Sequence, residues 1–223
     1  KGGVIYTHSC PTIFNTRALS KPKRNRCPHY HVAVLADMAA LPPHIPVIVA
    51  NRFSFYLLGP NEGKKRQVGL DYLDDRGSIA GKDQIVVFKE KLRDTLCAIA
   101  KRTNLYVVQP IPEMGKNVPK SIARRLMLGL PAPMITISKA DYEVRNQAVL
   151  EALRSAREQC GVKLLDPAPY LCPKGNCQGA LDGQPLYSDD NHLNAWGDKL
   201  LVPMFAKAFN SSESSSDVLP KDK

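Results

Sequence analysis

An aspartate and a histidine separated by two residues are the groups in this sequence best suited to acid–base chemistry. Asp189 and His192 lie in the segment Leu-Tyr-Ser-Asp-Asp-Asn-His-Leu-Asn, directly before a predicted C-terminal helix. A turn at this spacing lets the carboxylate bind one ring nitrogen of the histidine, which leaves the other nitrogen to take a proton from a serine hydroxyl. The alternative is a structural role, in which an aspartate caps the helix beside a surface histidine.

Four short apolar runs predict the strands that must position this pair. They cover residues 4–7, 47–50, 105–108 and 162–165, and helical patterns cover 30–41, 83–102, 123–126, 140–160 and 193–209. The polar segments 9–26 and 59–80 are interpreted as loops, and the last helix is expected to bury Trp196, Leu200, Met204 and Phe205. Strands that alternate with helices predict an α/β fold with a mostly parallel sheet, whose functional residues follow the carboxyl ends of the strands.

The composition is that of a globular domain with an excess of positive charge. The 223 residues are 43% hydrophobic and 23% charged, and the formal net charge is +10. The sequence has no apolar run of about 18 residues, so no membrane span is expected. Basic clusters at 21–26, 64–66 and 124–125 suit a solvated face or a surface beside anionic lipid or polysaccharide. Because no nucleic-acid motif accompanies them, we expect no nucleic-acid partner.

The cysteine spacing favours disulfides over a metal site. Cys172 and Cys177 flank a turn-like stretch, and Cys10 and Cys27 bracket a polar loop. Disulfide bonds that close such loops persist only in oxidising compartments. The alternative, a metal site, needs a second ligand pair that the spacing does not supply, so no metal and no cofactor are expected. Cys97 and Cys160 lie in helical patterns and are interpreted as buried thiols.

Several motifs in the same order resemble a known family, the SGNH domain fused behind the acyltransferase-3 membrane domain of bacterial surface-polysaccharide O-acetyltransferases. The last motif combines Asp189, His192 and Leu193 with the small residue Gly197. The others are Cys10-Pro11 with Cys27, Val107-Val-Gln-Pro-Ile-Pro-Glu113, Pro119-Lys-Ser-Ile-Ala-Arg124, and Leu164-Leu-Asp-Pro-Ala-Pro-Tyr-Leu-Cys172 with Cys177. The resemblance runs from about residue 3 to residue 207.

The resemblance implies a three-layer α/β/α sandwich of the SGNH hydrolase type, which is flavodoxin-like, with its first strand missing. It implies a domain over residues 1–209, incomplete at its N-terminus, and residues 210–223 are interpreted as a disordered Ser-rich tail. It further implies a Ser-His-Asp site in the periplasmic domain of a bacterial inner-membrane protein. An upstream membrane domain would supply the acyl donor, and a glycan would be the acceptor.

The sequence departs from the family pattern at the nucleophile. The family's serine lies in a Gly-Asp-Ser block that this sequence lacks, so we expect the nucleophile upstream and this fragment to be inactive. Ser9 follows a predicted strand but sits beside Cys10, without the signs of a nucleophile elbow. Asn51 follows the second predicted strand, where its amide can donate to an oxyanion, and the adjacent Arg52 suits an anionic or carbonyl group.

Three functions remain open from the sequence. The first is an acyltransferase that passes an acyl group, most simply acetyl, through a serine to a cell-envelope glycan hydroxyl. The second is an acetyl esterase, which uses the same residues with water as the acceptor. The third is a non-catalytic carbohydrate-binding module, which the absence of the Gly-Asp-Ser block favours for the chain as it stands.

Overall fold

The computed structural model describes residues 10–18, 27–42, 44–61, 69–72 and 83–210. Some of the sequence-based expectations lie outside these residues: the strand at 4–7, Ser9, the basic clusters at 21–26 and 64–66, and the tail from 211 onward. The strands are β1 Thr16–Ala18, β2 Pro46–Val49, β3 Leu70–Tyr72, β4 Asn104–Val108, β5 Thr136–Ser138, β6 Lys163–Leu165, β7 Asn176–Gln178, β8 Ala180–Leu181 and β9 Gln184–Pro185. The helices are α1 Cys27–Ala39, α2 Phe53–Leu58, α3 Gln84–Ala100, α4 Val118–Met127, α5 Lys139–Cys160, α6 Ala168–Leu171, α7 Ala195–Leu200 and α8 Val202–Asn210.

A parallel sheet of β2, β4 and β6, with β4 in the centre, forms the middle layer of the fold. Its central strand is buried on both faces, as a parallel strand covered by helices must be. Leu105 and Val107 join the apolar cluster formed with α3 and α5, while Tyr106 and Val108 join the cluster on the opposite face. The alternation follows from the period of two in a strand. The predicted α/β sandwich is therefore confirmed.

The helices begin where the sequence supplies hydrogen-bond acceptors for their first amides. The side chain of Asp83 accepts the amide of Ile85 at the start of α3, and Ser138 accepts the amide of Asp141 at the start of α5. Asn117 accepts the amide of Lys120 and begins α4, with Pro119 in the first turn, where the missing amide hydrogen costs nothing. Helix α4 is therefore longer than the four residues expected from the sequence.

Two of the segments interpreted as loops contain paired strands. Strand β1 lies within 9–26 and β3 lies within 59–80, and the two pair antiparallel from Thr16 opposite Tyr72 to Ala18 opposite Leu70. The loop interpretation was therefore wrong at these residues. Tyr72 and Leu70 are buried in the core, which stabilises strands too short to show a periodic pattern in the sequence.

The predicted last helix is divided into α7 and α8 at Leu201. Pro203 explains the division, because proline has no amide hydrogen and its ring clashes with the carbonyl four residues earlier. Trp196, in α7, is 61% exposed, and the Lys199 ammonium lies 4.9 Å from its ring centre. The prediction that Trp196 is buried was therefore wrong, whereas Met204 is buried as expected.

The six cysteines form three disulfides. Cys10–Cys27 and Cys172–Cys177 are the two pairs expected from the spacing. Cys97 and Cys160, interpreted as buried thiols, are paired with Cα atoms 5.2 Å apart, so that interpretation was wrong. This third disulfide joins α3 to the end of α5. Its partners are 63 residues apart in the chain, and closing a loop of that length stabilises a fold by about 4 kcal/mol through the unfolded state.

Candidate active site

A cavity of about 300 Å³ lies at the carboxyl edge of the parallel sheet. One wall is residues 50–54, which follow β2, and another is 108–113, which continues from the end of β4. Asn146 of α5, with Asn191 and His192, completes the lining. Asn51 and Arg52 therefore share one cavity with His192, which is far from them in the sequence, at the edge where parallel sheets place their functional residues.

The Asp189 carboxylate orients the His192 ring. Its Oδ2 lies 2.7 Å from His192 Nδ1, and its Oδ1 accepts the backbone amides of Asn191 and His192, each at 2.8 Å. One carboxylate thus fixes both the turn and the imidazole that the turn carries. The His192 side chain is 71% exposed and leaves Nε2 without a described partner in the protein.

The hydrogen bonds also set the charge of Asp189. Its partial burial raises the pKa of the carboxyl, but the two amides and the His192 ring lower it more, so that pKa lies below its ordinary value. A carboxylate that stays ionised is the form that stabilises an imidazolium.

The loop that carries this pair is attached to the segment after β4. The amides of Met114 and Val118 donate to the carbonyls of Asp190 and Asp189 at 2.8 and 2.9 Å. The buried Tyr187 hydroxyl donates to the carbonyl of Pro112 at 2.9 Å. The Asp189–His192 turn is therefore held to the segment after β4 by two backbone hydrogen bonds and one side-chain hydrogen bond.

Gly197 allows the first turn of α7 to lie against this loop. A Cβ atom there would be 2.3 Å from the carbonyl oxygen of Leu186 and 2.8 Å from a methyl group of Leu193. Asn194 caps the same turn by accepting the amides of Trp196 and Gly197, while its own amide donates to the carbonyl of Pro185. The small residue noted in the sequence motif is therefore required by a close backbone approach.

The Asn51 side chain lines the cavity and also holds the loop around Thr12. Its Oδ1 accepts the Thr12 amide at 2.7 Å, and its Nδ2 donates to the Thr12 hydroxyl at 3.2 Å and to the carbonyl of Ala50 at 2.6 Å. An oxyanion bound by this amide would replace one of these two donated bonds.

Arg52 belongs to an ion cluster that the sequence did not reveal. Glu113 is 4% exposed, and its two oxygens lie 2.6 Å from Arg52 Nε and 2.8 Å from Arg145 Nε. Arg145 also donates to the carbonyl of Gly59 at 2.7 Å. One buried carboxylate thus holds two guanidinium groups beside the cavity. The sequence feature that could have indicated this cluster is Glu113 itself, a lone acidic residue within an apolar, proline-rich run.

Among the described residues that line the cavity, Ser54 is the one serine. It is buried, and its hydroxyl donates to Asn146 Oδ1 at 2.6 Å rather than to His192. Ser188 lies beside the Asp189–His192 turn, but its hydroxyl donates to the carbonyl of His192. Neither serine is arranged as the partner of the His192 ring, and Ser9 lies outside the described residues.

Two negative findings concern only the described part of the chain. It contains no cluster of three or more histidine, cysteine, aspartate or glutamate side chains that could hold a metal ion. His29 and His31 form a His-x-His sequence, but His31 is buried and its Nε2 donates to the carbonyl of Pro11. No described helix is long and apolar enough to cross a bilayer.

The lowered pKa of Asp189 predicts a measurable pH dependence. A depressed carboxyl pKa contributes stability that is fully present above the unfolded value, near 3.8, and is lost as the pH falls through the folded value. Asp189→Asn should therefore lower the free energy of unfolding in urea at pH 6, and the difference from the parent should shrink as the pH falls below about 3.8. The exposed Asp182→Asn is the matched control. A constant difference at all pH values would contradict the assignment.

Comparison with known proteins places the chain in a family. No curated protein sequence matches it significantly. The periplasmic domain of the lipopolysaccharide acetyltransferase of Salmonella serovar Paratyphi A has a similar fold, with a TM-score of 0.53 at 13% identity. The similarity covers 85% of this chain and 65% of the other, so this chain spans less than two thirds of its structural neighbour. The family model of the SGNH domain that is fused to AT3 domains matches residues 1–207, and the chain belongs to that family.

Proposed function

We propose that this chain supplies the acid–base pair and the cavity walls of an acyl-transfer site. The site passes an acyl group, most simply acetyl, to a hydroxyl of a cell-envelope glycan. The observation that carries the proposal is the Asp189–His192 pair, which is bonded at 2.7 Å and opens on the cavity at the carboxyl edge of the sheet. An exposed imidazole whose Nδ1 is hydrogen-bonded to an ionised carboxylate can act as the acid–base catalyst for a serine nucleophile. Family membership supports the same reaction class.

The reaction we propose has two steps. A serine N-terminal to Lys1 attacks the carbonyl of the acyl donor, and His192 Nε2 takes the hydroxyl proton as the new C–O bond forms. The imidazolium, stabilised by Asp189, returns the proton to the departing group when the donor's acyl–oxygen bond breaks. A glycan hydroxyl then attacks the acyl-serine, gives its proton to His192, and the serine oxygen recovers a proton as it leaves.

The cavity walls supply the remaining roles in this proposal. The Asn51 amide donates to the carbonyl oxygen as it becomes negative, and the Arg52 guanidinium, which also lines the cavity, stabilises the same charge at longer range. Each interaction strengthens as charge develops, so each lowers the barrier more than it strengthens substrate binding.

The location follows as part of the proposal. Three disulfides persist only in an oxidising space, which for a bacterial envelope protein is the periplasm. The family's fusion to AT3 domains supports delivery of the acyl group by such a domain, upstream in the chain and seated in the inner membrane.

One observation favours a second candidate, a non-catalytic glycan-binding module. Neither described serine near the cavity, Ser54 or Ser188, donates to the His192 ring. A module of this kind would bind oligosaccharide in the cavity without turning over an ester.

Acetyl transfer can be tested in the protein extended N-terminal to Lys1, with p-nitrophenyl acetate as donor and a neutral oligosaccharide as acceptor. We expect nitrophenol release and an O-acetylated sugar, detected by mass spectrometry. Nitrophenol release that yields only acetate would replace the transferase by the esterase. Binding of the oligosaccharide with no release would favour the binding module.

A further inference from the structure

Helix α4 ends in an exposed apolar projection that the proposed chemistry does not use. We call the five side chains Leu126, Met127, Leu128, Leu130 and Met134 the apolar tip. Met127 is 86% exposed, Met134 is 88% exposed and Leu128 is 68% exposed. The tip is an ordered turn, because the amides of Leu128 and Leu130 donate to the carbonyl of Arg125 and Gly129 adopts a φ of 67°. Folded monomers rarely expose so continuous an apolar surface without a partner.

The charged residues nearest to the tip along the chain are all of one sign. No acidic residue occurs between Glu113 and Asp141, whereas four basic residues precede the tip. These are Lys116, Lys120, Arg124 and Arg125, all exposed, and we call them the basic collar. The opposite side of α4 carries the buried Val118 and Ile122 and packs on the core. The collar and the tip are therefore directed away from the domain.

This combination fits one kind of partner better than the others. Apolar side chains beyond a ring of lysine and arginine match the boundary of an anionic bilayer, where headgroup phosphates meet the acyl chains. A second copy of this chain, with its own excess of positive charge, would repel the collar. We propose that the apolar tip inserts into the surface of an anionic phospholipid membrane while the basic collar binds the headgroups.

Docking of this kind would place the cavity at a defined height above the membrane. The ten-residue α4 is about 15 Å long at 1.5 Å per residue. Its first amide, that of Val118, donates to the carbonyl of Asp189. The Asp189–His192 turn would then lie about one short helix above the lipid headgroups, within reach of membrane-borne molecules.

Vesicle flotation of the chain as it stands tests this inference without any catalysis. Membrane binding can therefore fail while the proposed acyl transfer stands, and acyl transfer can fail while membrane binding stands. We expect the chain to float with vesicles of equal phosphatidylglycerol and phosphatidylcholine and not with phosphatidylcholine alone. The triple variant Met127→Ser, Leu128→Ser, Met134→Ser should lower the partition coefficient by about tenfold or more. The matched triple Val32→Ser, Val144→Ser, Val202→Ser removes equally exposed side chains elsewhere and should bind as the parent does.

The collar is tested by charge. Arg124→Gln and Arg125→Gln should each weaken binding about fivefold, which is the effect of about 1 kcal/mol per basic residue at an anionic surface. Arg154→Gln with Arg157→Gln removes the same charge from α5 and should have little effect. Equal losses of vesicle binding in the Arg124 and Arg125 variants and in the Arg154 and Arg157 variant would overturn the inference, because the overall positive charge of the chain would then explain the binding. A concentration-dependent dimer that the triple tip variant abolishes would overturn it in favour of contact between copies.

Discussion

His192→Ala is expected to lower the turnover of p-nitrophenyl acetate by about 10⁴-fold or more in the protein extended N-terminal to Lys1. In the proposed mechanism, this variant removes the group that takes the serine proton and returns it to the leaving group. Because the His192 side chain is 71% exposed, the fold should tolerate the change. Asp189→Asn should cost less, since it leaves the imidazole in place while removing the carboxylate that orients it.

The control for this prediction is another exposed histidine. His44→Ala changes the same residue type at a distance from the cavity lining and should leave the rate unchanged. Unfolding in urea should show that the His192→Ala variant stays folded, with only the small loss of stability expected when an exposed pair is removed. A His192→Ala protein that is folded and as fast as the parent would remove His192 from the site.

Glu113→Ala is expected to lower the free energy of unfolding by about 3 kcal/mol. The carboxylate is 4% exposed and is bound by Arg52 and Arg145, so its removal leaves two guanidinium groups facing each other in a partly buried place. Glu113→Gln should cost less, because it keeps the side-chain volume and one oxygen acceptor. Urea unfolding of the three proteins with their disulfides intact gives the comparison.

Glu151→Ala is the matched control for this effect. Glu151 also binds a cation, Lys89, at 2.6 Å, but both side chains are about one third exposed. Loss of such a surface pair should change stability far less than loss of the buried Glu113 carboxylate, because water screens exposed charges. Equal effects of the two alanine variants would show that the Glu113 cluster does not stabilise the fold.

The parts of the fold that could be predicted are those written in local patterns. The parallel strands β2, β4 and β6 lie within a residue or two of the predicted ones, because each coincides with a short, largely apolar run in the sequence. The Asp189–His192 turn was equally local, since both residues sit within one loop. The break before α8 was not predicted, although Pro203 stands within the segment that was predicted as a single helix.

The parts that could not be predicted depend on residues distant in the chain. Glu113 meets Arg52 and Arg145 across 61 and 32 residues, and no spacing pattern encodes that meeting. Cys97 and Cys160 are brought together only when α3 and α5 pack side by side. Strands β1 and β3 are stabilised by each other and by the core, and neither has a pattern of its own.

Labelling with a fluorophosphonate tests whether His192 activates a serine nucleophile, because this reagent phosphonylates a serine only when a neighbouring base activates its hydroxyl. The protein extended N-terminal to Lys1 is treated, digested and mapped by mass spectrometry, with and without His192→Ala. We expect a single modified serine N-terminal to Lys1 in the parent protein, and no modified serine in the His192→Ala protein. A modified serine within this chain, such as Ser54, or labelling that persists without His192, would contradict it.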